Sequence, residues 1–559
     1  MNRPLSTIPF SLLNSREFTF FLLALIIMGP LLGPGRILTL DSPLALNFDF
    51  AEYFSWSTKG AESVFAATYN SAPIAAVLRG LDLVLPFQVV EKAWLVLLLW
   101  LCAVGASRLP YIQGVGSYYA GFFYLVNPFT YIRFVSGQWG ILGAYALIPF
   151  AATSFINLLE DPSRKRIVVF ALILTVISHL QIHGLALALL VLGPLYLTQC
   201  ATVPGRFKQS LPWVAWSGGL FLLLNSFWIA RFIVAGGGVT KNMPVAELGY
   251  FAAFPPLDVL SLRGSWLSGA YVDIYDLVPV WWLLFLPLLV LAVYGAMSMW
   301  DNSRLRWLAL GLAFAGLAGL VMAAGPGTPG IGGLFTSLWE EFPIYRGFRE
   351  THKFTALLAL VYAYLGAFGL QILWEKIRQR ATWPHWAPYA TAGVFFVLTA
   401  AYALPIFGVW GQVKPTDYPE DWHTVRSILD DDPDDFSVLV LPWHMYMDFD
   451  WLPNRWKNLA NPAPSFFSQP VISGDNIEIA ANYSDSSDPR SKYVEELLRG
   501  RDELDDFGSR IAPLGAKYVV LFKTADYEEY GFLSEQGDLE LVFGGGTIAL
   551  YQVPPLLAR

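Results

Sequence analysis

The sequence predicts a polytopic α-helical membrane protein of about eleven spanning helices, followed by a C-terminal α/β domain on the outer face. Three observations predict it. Of 559 residues, 55% are hydrophobic and only 14% are charged, against about 25% charged in soluble domains, and mean hydropathy is +0.47. The apolar residues gather in runs close to the about 20 residues that cross a bilayer. After residue 409 these runs stop, and short apolar stretches alternate with acidic, helix-patterned ones.

Apolar runs fall at 18–38, 89–107, 114–126, 138–158, 167–180, 184–199, 211–234, 278–298, 306–324, 354–374 and 387–408. The first contains Gly29-Pro30 and has no small-residue cleavage site, so it reads as a membrane helix and not as a signal peptide. The stretch 167–199 is interrupted by His179-Leu180-Gln181-Ile182-His183-Gly184. Lys and Arg favour cytoplasmic loops. With two spans there and a cytoplasmic N-terminus, Arg108, Arg164-Lys165-Arg166, Arg206, Arg304, Arg306 and Lys376 all fall inside. A single span would put the later clusters outside. The expected organisation is a transmembrane domain at 1–408 and an extracytoplasmic domain at 409–559, in the plasma membrane. The outer segments are then 39–88, 235–277, 325–353 and the tail, and the inner loops are too short to build a site.

In the tail, Val438-Leu439-Val440-Leu441, Tyr518-Val519-Val520-Leu521-Phe522 and Thr547-Ile548-Ala549-Leu550-Tyr551 have the pattern of buried strands. Helical patterns at about 421–431, 489–503 and 526–536 alternate with them, which implies an α/β domain.

Several function classes lose support at once. A net charge of −8 argues against a nucleic-acid partner, which needs a basic stripe. Two cysteines, Cys102 and Cys200, offer neither a disulfide framework nor zinc-ligand spacing. Gly325-Pro326-Gly327 lacks the Lys-Ser/Thr of a phosphate loop, and no Gly-x-Ser-x-Gly elbow occurs.

The residues that could carry chemistry lie in the outer segments. Asp41 is the first acid after span one. A carboxylate where a helix leaves the bilayer is partly desolvated, which raises its pKa and suits a general base. Asp49 and Glu52, three apart, could bind a divalent cation or orient a sugar hydroxyl; the competing reading of all three is a solvated loop acid. Phe54, Trp56, Phe65, Tyr69 and Leu78 suggest an interfacial helix. In Asn127-Pro128-Phe129-Thr130-Tyr131-Ile132-Arg133, the cation Arg133 could meet a phosphate or snorkel to the interface. His179, Gln181 and His183 suit phosphate or sugar hydrogen bonding better than metal, because Gly184 interrupts the helix a metal pair would need. Arg346, Arg349, His352 and Lys353 bunch at the outer entry to span ten, against the positive-inside tendency. A specific anion partner explains that placement; an anchor on lipid headgroups also does.

Taken together, these residues resemble the GT-C superfamily of membrane glycosyltransferases, with the nearest look to arabinofuranosyltransferase-like and YfhO-like membrane proteins. The resemblance is carried by the long first outer loop with Asp41 and Tyr69-Asn70 to Pro86, by Asn127-Pro128-Phe129, and by Phe348-Arg349-Glu350-Thr351-His352-Lys353-Phe354. The last is similar to a Phe-Arg-Glu/Asp-Pro-x-Lys-Phe family pattern, with Thr351 in place of the usual Pro. Val440-Leu441-Pro442-Trp443 and Lys517-Tyr518-Val519-Val520 in the tail are also of family type. The resemblance implies a polyprenyl-phosphate-linked sugar as donor and a glycan, lipid or protein acceptor. It implies an acid of loop 39–88 as base, Asp41 before Asp49 or Glu52, and inversion at the anomeric carbon. It implies a leaving lipid phosphate held by Arg349, Lys353, His352 and Arg346, with Arg133 and His183 behind them. It names no certain cofactor. The alternative is a non-enzymatic transporter, flippase or assembly scaffold for lipid-linked glycans, using the same cations for headgroups.

Overall fold

A computed structural model describes residues 15–42, 70–235, 245–252, 255–267, 269–328, 330–476, 478–479, 482–483, 486 and 488–553. The principal helices of the apolar part are α1 (Ser15–Met28), α2 (Ala72–Asp82), α3 (Phe87–Ser107), α4 (Val115–Leu125), α5 (Pro128–Val135), α6 (Trp139–Glu160), α7 (Arg164–Leu180), α8 (Ile182–Thr202), α9 (Arg206–Ala235), α10 (Phe285–Asp301), α11 (Arg306–Ala324), α12 (Thr355–Arg378) and α13 (Ala387–Tyr402). Among the described residues, eight helices are long and apolar enough to cross a membrane. They become nine if α13 and the helical turn Leu404–Gly411, bent by 42°, form one span. Two further expected spans are present as the shorter helices α4 and α7, of 11 and 17 residues. The break in 167–199 is real. Gln181 is extended (φ −166°, ψ 127°), ending α7 and starting α8.

Helix α12 is the axis of the bundle. Every residue from Thr355 to Leu370 is buried, as expected of a helix apolar on all sides. It meets α10 backbone to backbone. A methyl group on Gly295 would sit 1.9 Å from the Leu365 carbonyl oxygen, and one on Gly369 would sit 2.5 Å from that of Leu291. Small residues allow this approach, and close packing holds helices together where lipid removes the hydrophobic drive.

Among the described residues the tail carries α14 (Glu420–Asp430), α15 (Pro489–Arg499) and nine strands. These are β1 (Ser437–Leu441), β2 (Tyr446–Asp448), β3 (Asn458–Ala460), β4 (Val471–Ile472), β5 (Glu478–Ile479), β6 (Asn482–Tyr483), β7 (Ala516–Phe522), β8 (Glu540–Gly544) and β9 (Ile548–Gln552). The main sheet runs β4-β1-β7-β9-β8, parallel across β4, β1 and β7 and antiparallel beyond. Side chains alternate along β1. Val438 and Val440 enter one core, around Trp422, while Leu439 and Leu441 enter another, around Phe507. Trp422 stacks on Phe522 at 4.3 Å.

The tail is tied to the segment that follows α1. Arg36 and Thr416 exchange backbone hydrogen bonds at 2.8 and 3.0 Å. The Asn454 amide donates to the Leu38 carbonyl at 2.6 Å, and the Ala460 N–H donates to the Leu40 carbonyl at 2.7 Å. On the other side, the Ile37 N–H donates to Glu91 at 2.9 Å. The chain is held at nearly every residue up to Asp41.

Candidate active site

Asp41 is fixed by its backbone. Its N–H donates to the Ser136 carbonyl at 3.0 Å, and Ser42 closes a turn onto Thr39. The approach requires a glycine opposite. Gly137 has φ +73°, and a Cβ there would lie 2.6 Å from both the Ser42 nitrogen and the Thr39 hydroxyl. The next residue, Gln138, is thereby brought beside Asp41, where its side chain favours the ionised carboxylate.

The Asn127-Pro128 sequence explains the position of Arg133. The Asn127 side chain accepts from the Thr130 N–H at 3.0 Å and donates to the Phe123 and Tyr124 carbonyls at 3.0 and 2.8 Å. It caps α5, with Pro at the first helical position. One turn on, Arg133 reaches Glu350 at 3.1 Å and His352 Nδ1 at 2.7 Å, and it also donates to the Gln138 carbonyl. Gln138 donates to the same Glu350 oxygen at 3.2 Å, and the Lys353 ammonium lies 3.7 Å from it. The Thr351 hydroxyl anchors this turn on the Ala323 carbonyl at the end of α11, at 2.8 Å.

From the tail, the Tyr446 hydroxyl donates to Asp41 Oδ1 at 2.8 Å. On β2, Met447 points into the tail core and Tyr446 points out. The result is two bonded groups side by side, Tyr446 with Asp41, and Gln138 with Glu350 and Arg133. Asp41 keeps part of its surface accessible and Tyr446 is 38% exposed, so this end of the site reaches water.

Burial raises the Asp41 carboxyl above its ordinary value, and the Glu350 charge raises it further. Gln138, the Tyr446 hydrogen bond and the Lys353 charge oppose the shift without cancelling it. Burial would also raise Glu350, but Lys353, Arg133 and Arg349 outweigh that and hold it well below the usual carboxylate range. Two carboxyl groups a glutamine apart are thus pushed in opposite directions, the pattern that separates a proton acceptor from a permanent anion.

The other expected residues divide. Lys353 joins the network. Arg349 lies over the Phe251 ring at 5.2 Å and acts on Glu350 through its charge. Arg346 donates to the Trp339 carbonyl at 2.9 Å. His183 donates from Nε2 to the Gly347 carbonyl at 2.6 Å and accepts from Gln181 at 3.0 Å, so it clamps the loop before Glu350. Arg133 and His352, expected as phosphate ligands, are 1% and 0% exposed and are bonded to each other, with Arg133 also bonded to Glu350. The motif's own Glu350 draws Arg133 inward, and His352 packs under Phe129. His179 turns away to the Asn70 carbonyl at 2.7 Å. Asp49, Glu52, Phe54, Trp56, Phe65 and Tyr69 lie outside the described residues. No group of three or more His, Cys, Asp or Glu arranged to hold a metal occurs among the described residues.

Sequence reasoning missed three members. Gln138 carried no signal beyond following Gly137. Glu350 stood inside the quoted motif, with Lys353 three residues on as a hint of pairing. Tyr446 lay in an aromatic segment, 443–451, with nothing in its sequence to set it apart from its neighbours. Trp443, Met447 and Phe449 are buried there, and Tyr446 alone of these is exposed.

The chain matches the cryo-EM structure of the arabinofuranosyltransferase AftD from mycobacteria with a TM-score of 0.63, at 17% identity, over 97% of this chain and 40% of that one. A mutant form of AftD matches with a TM-score of 0.60, at 16% identity, over 97% and 42%. The chain therefore shares the fold of the matched part of these structures, a bundle of long apolar helices followed by a C-terminal domain. The chain spans about two fifths of the length of these structures. No protein-family model and no curated protein matches it.

Proposed function

We propose that this chain is a GT-C-type glycosyltransferase. It moves a sugar from a polyprenyl-phosphate donor to a glycan, lipid or protein acceptor on the outer face of the plasma membrane, with inversion. The N-terminus is then cytoplasmic, residues 1–408 form the membrane domain and 409–559 an extracytoplasmic one. The observation that carries the reading is the pair of bonded groups side by side, Tyr446 with Asp41, and Gln138 with Glu350 and its cations.

In this mechanism Asp41 takes the proton of the acceptor hydroxyl. The freed oxygen attacks the anomeric carbon, and the bond from that carbon to the phosphate oxygen breaks. The departing lipid phosphate gains negative charge, which Lys353 and Arg349 stabilise. Glu350 holds Lys353 in place and limits the net positive charge of the site. Arg133, His352 and Gln138 are positioning residues behind it, and His183 and Arg346 hold the loop. A divalent cation, where one is used, falls to Asp49 and Glu52. AftD is named for arabinofuranosyl transfer, which makes a pentofuranosyl phospholipid the first donor to try.

The test is transfer by purified protein from a panel of polyprenyl-phospho-sugars, comparing wild type with Asp41→Asn. Loss of a positioned base costs roughly 100- to 10,000-fold. Asn remains neutral and still accepts from Tyr446, so folding is retained. Transfer by Asp41→Asn at the wild-type rate removes Asp41 from the base role. Absence of transfer from every donor by the wild type removes the transferase reading.

A further inference from the structure

Helices α6, α8 and α11 each have one end at the candidate site, near Gln138, His183 and Ala323. Their other ends meet about 30 Å away, at 1.5 Å per residue. There, Glu160, Gln199, Arg206, Arg304 and Arg306, with Tyr111, line a cavity of about 580 Å³. The lining thus holds three arginines and one carboxylate, and that carboxylate is already engaged by the Tyr111 hydroxyl. Arg206 uses one nitrogen to cap the Leu159 carbonyl at 2.7 Å. Its Nε is buried with no hydrogen-bond partner in the structure. Gln199 is 1% exposed, and its Oε1 likewise has no partner.

A buried donor and a buried acceptor left unmatched are costly unless something fills them. Together they ask for a ligand that both accepts and donates hydrogen bonds, and the arginines ask for it to be anionic. The cavity opens at the basic end of the helices, the end that the positive-inside tendency assigns to the cytoplasm. Trp300, 47% exposed, lies under Arg306 at 5.2 Å at this rim. That places an aromatic and a cation at the level where headgroups sit.

We infer that this cavity is a binding site for the headgroup of an anionic phospholipid bearing a free hydroxyl, such as a phosphoglycerol headgroup. Arg304, Arg306 and Arg206 contact the phosphate, and Gln199 Oε1 accepts from the hydroxyl. The inference is independent of the proposed transferase activity and concerns the opposite end of the helices.

The test uses full-length protein in detergent, titrated with phosphatidylglycerol, phosphatidylcholine and soluble glycerol 1-phosphate, and read by native mass spectrometry. Arg304 and Arg306 are exposed, so Arg304→Gln/Arg306→Gln folds as wild type does. The expected result is one phosphatidylglycerol bound in preference to phosphatidylcholine, with a roughly thirtyfold loss in the double variant. Displacement by glycerol 1-phosphate in wild type, absent in the variant, supports the same site with a soluble ligand as its source. Equal binding of the two lipids, or unchanged binding by the variant, overturns the inference.

Discussion

Replacing Glu350 with alanine isolates the energetic centre of the site. One carboxylate oxygen of Glu350 receives Arg133 at 3.1 Å and Gln138 at 3.2 Å and faces Lys353 at 3.7 Å. The Arg133 and Glu350 side chains are 1% and 12% accessible, so water cannot replace the lost partner. Breaking a buried ion pair from one side costs about 3–5 kcal/mol, because a desolvated charge is left alone. An exposed pair is worth about 0–1 kcal/mol. Arg426 and Asp430, 3.4 Å apart and 45% and 39% accessible, supply that comparison within the same chain. Thermal unfolding of purified Glu350→Ala and Arg426→Ala in the same detergent gives the contrast, with a large drop expected only for the first. Replacing both partners with apolar side chains, Arg133→Met/Glu350→Met, should recover part of the loss, since Arg133 is then no longer stranded and only Lys353 loses its partner. The reasoning fails if Glu350→Ala costs no more than Arg426→Ala, or if the double replacement is as damaging as the sum of the single ones.

Four further outcomes follow from the same geometry. Tyr446→Phe removes a hydrogen bond that favours the charged form of Asp41, so the acid limb of the pH–rate profile should move to higher pH; an unmoved limb would separate Tyr446 from the base. Asp41 has a raised folded pKa, so its protonated form favours folding, and that contribution is lost as pH rises through the raised value. Asp41→Asn should therefore be at least as heat-stable as wild type near neutral pH, with the difference vanishing in acid. Glu350 has a depressed pKa, so its contribution is present above about pH 4.3 and lost as pH falls through the lower folded value; Glu350→Gln should flatten the acid side of the stability profile. Gly295→Ala puts a methyl group 1.9 Å from the Leu365 carbonyl. It should cost about 1–3 kcal/mol or more through forced separation of α10 and α12, measured by thermal unfolding.

The helices were legible because the apolar runs are long and the breakers sit where the chain turns. His179 to Gly184 and Asn127-Pro128 both mark real helix ends. Strands β1, β7 and β9 were legible because they are buried on two faces and read as continuous apolar runs. Strand β8 was not, since it is an edge strand with mostly exposed residues, and β4, with only two residues, leaves no periodic trace. In the site, the motif 348–354 and Asp41 stand out as charges where charges are expensive. Gln138 and Tyr446 do not, because their roles arise from contacts 212 and 405 residues apart in sequence. The burial of Arg133 and His352 was also hidden. A cation in an outer segment looks the same in sequence whether it faces a ligand or an internal carboxylate.

The backbone ties from residues 36–41 to Thr416, Asn454 and Ala460 make the tail part of the wall that holds Asp41. Any tilt of the tail that lengthens the Tyr446 bond loosens the hold on the ionised carboxylate and lets it keep its proton. Occupancy of the tail and the protonation of Asp41 are then two readings of one equilibrium, and whatever stabilises one must, by reciprocity, bias the other. A cut at the 408/409 boundary would leave each half with an unfinished surface where Asp41 and Tyr446 now meet.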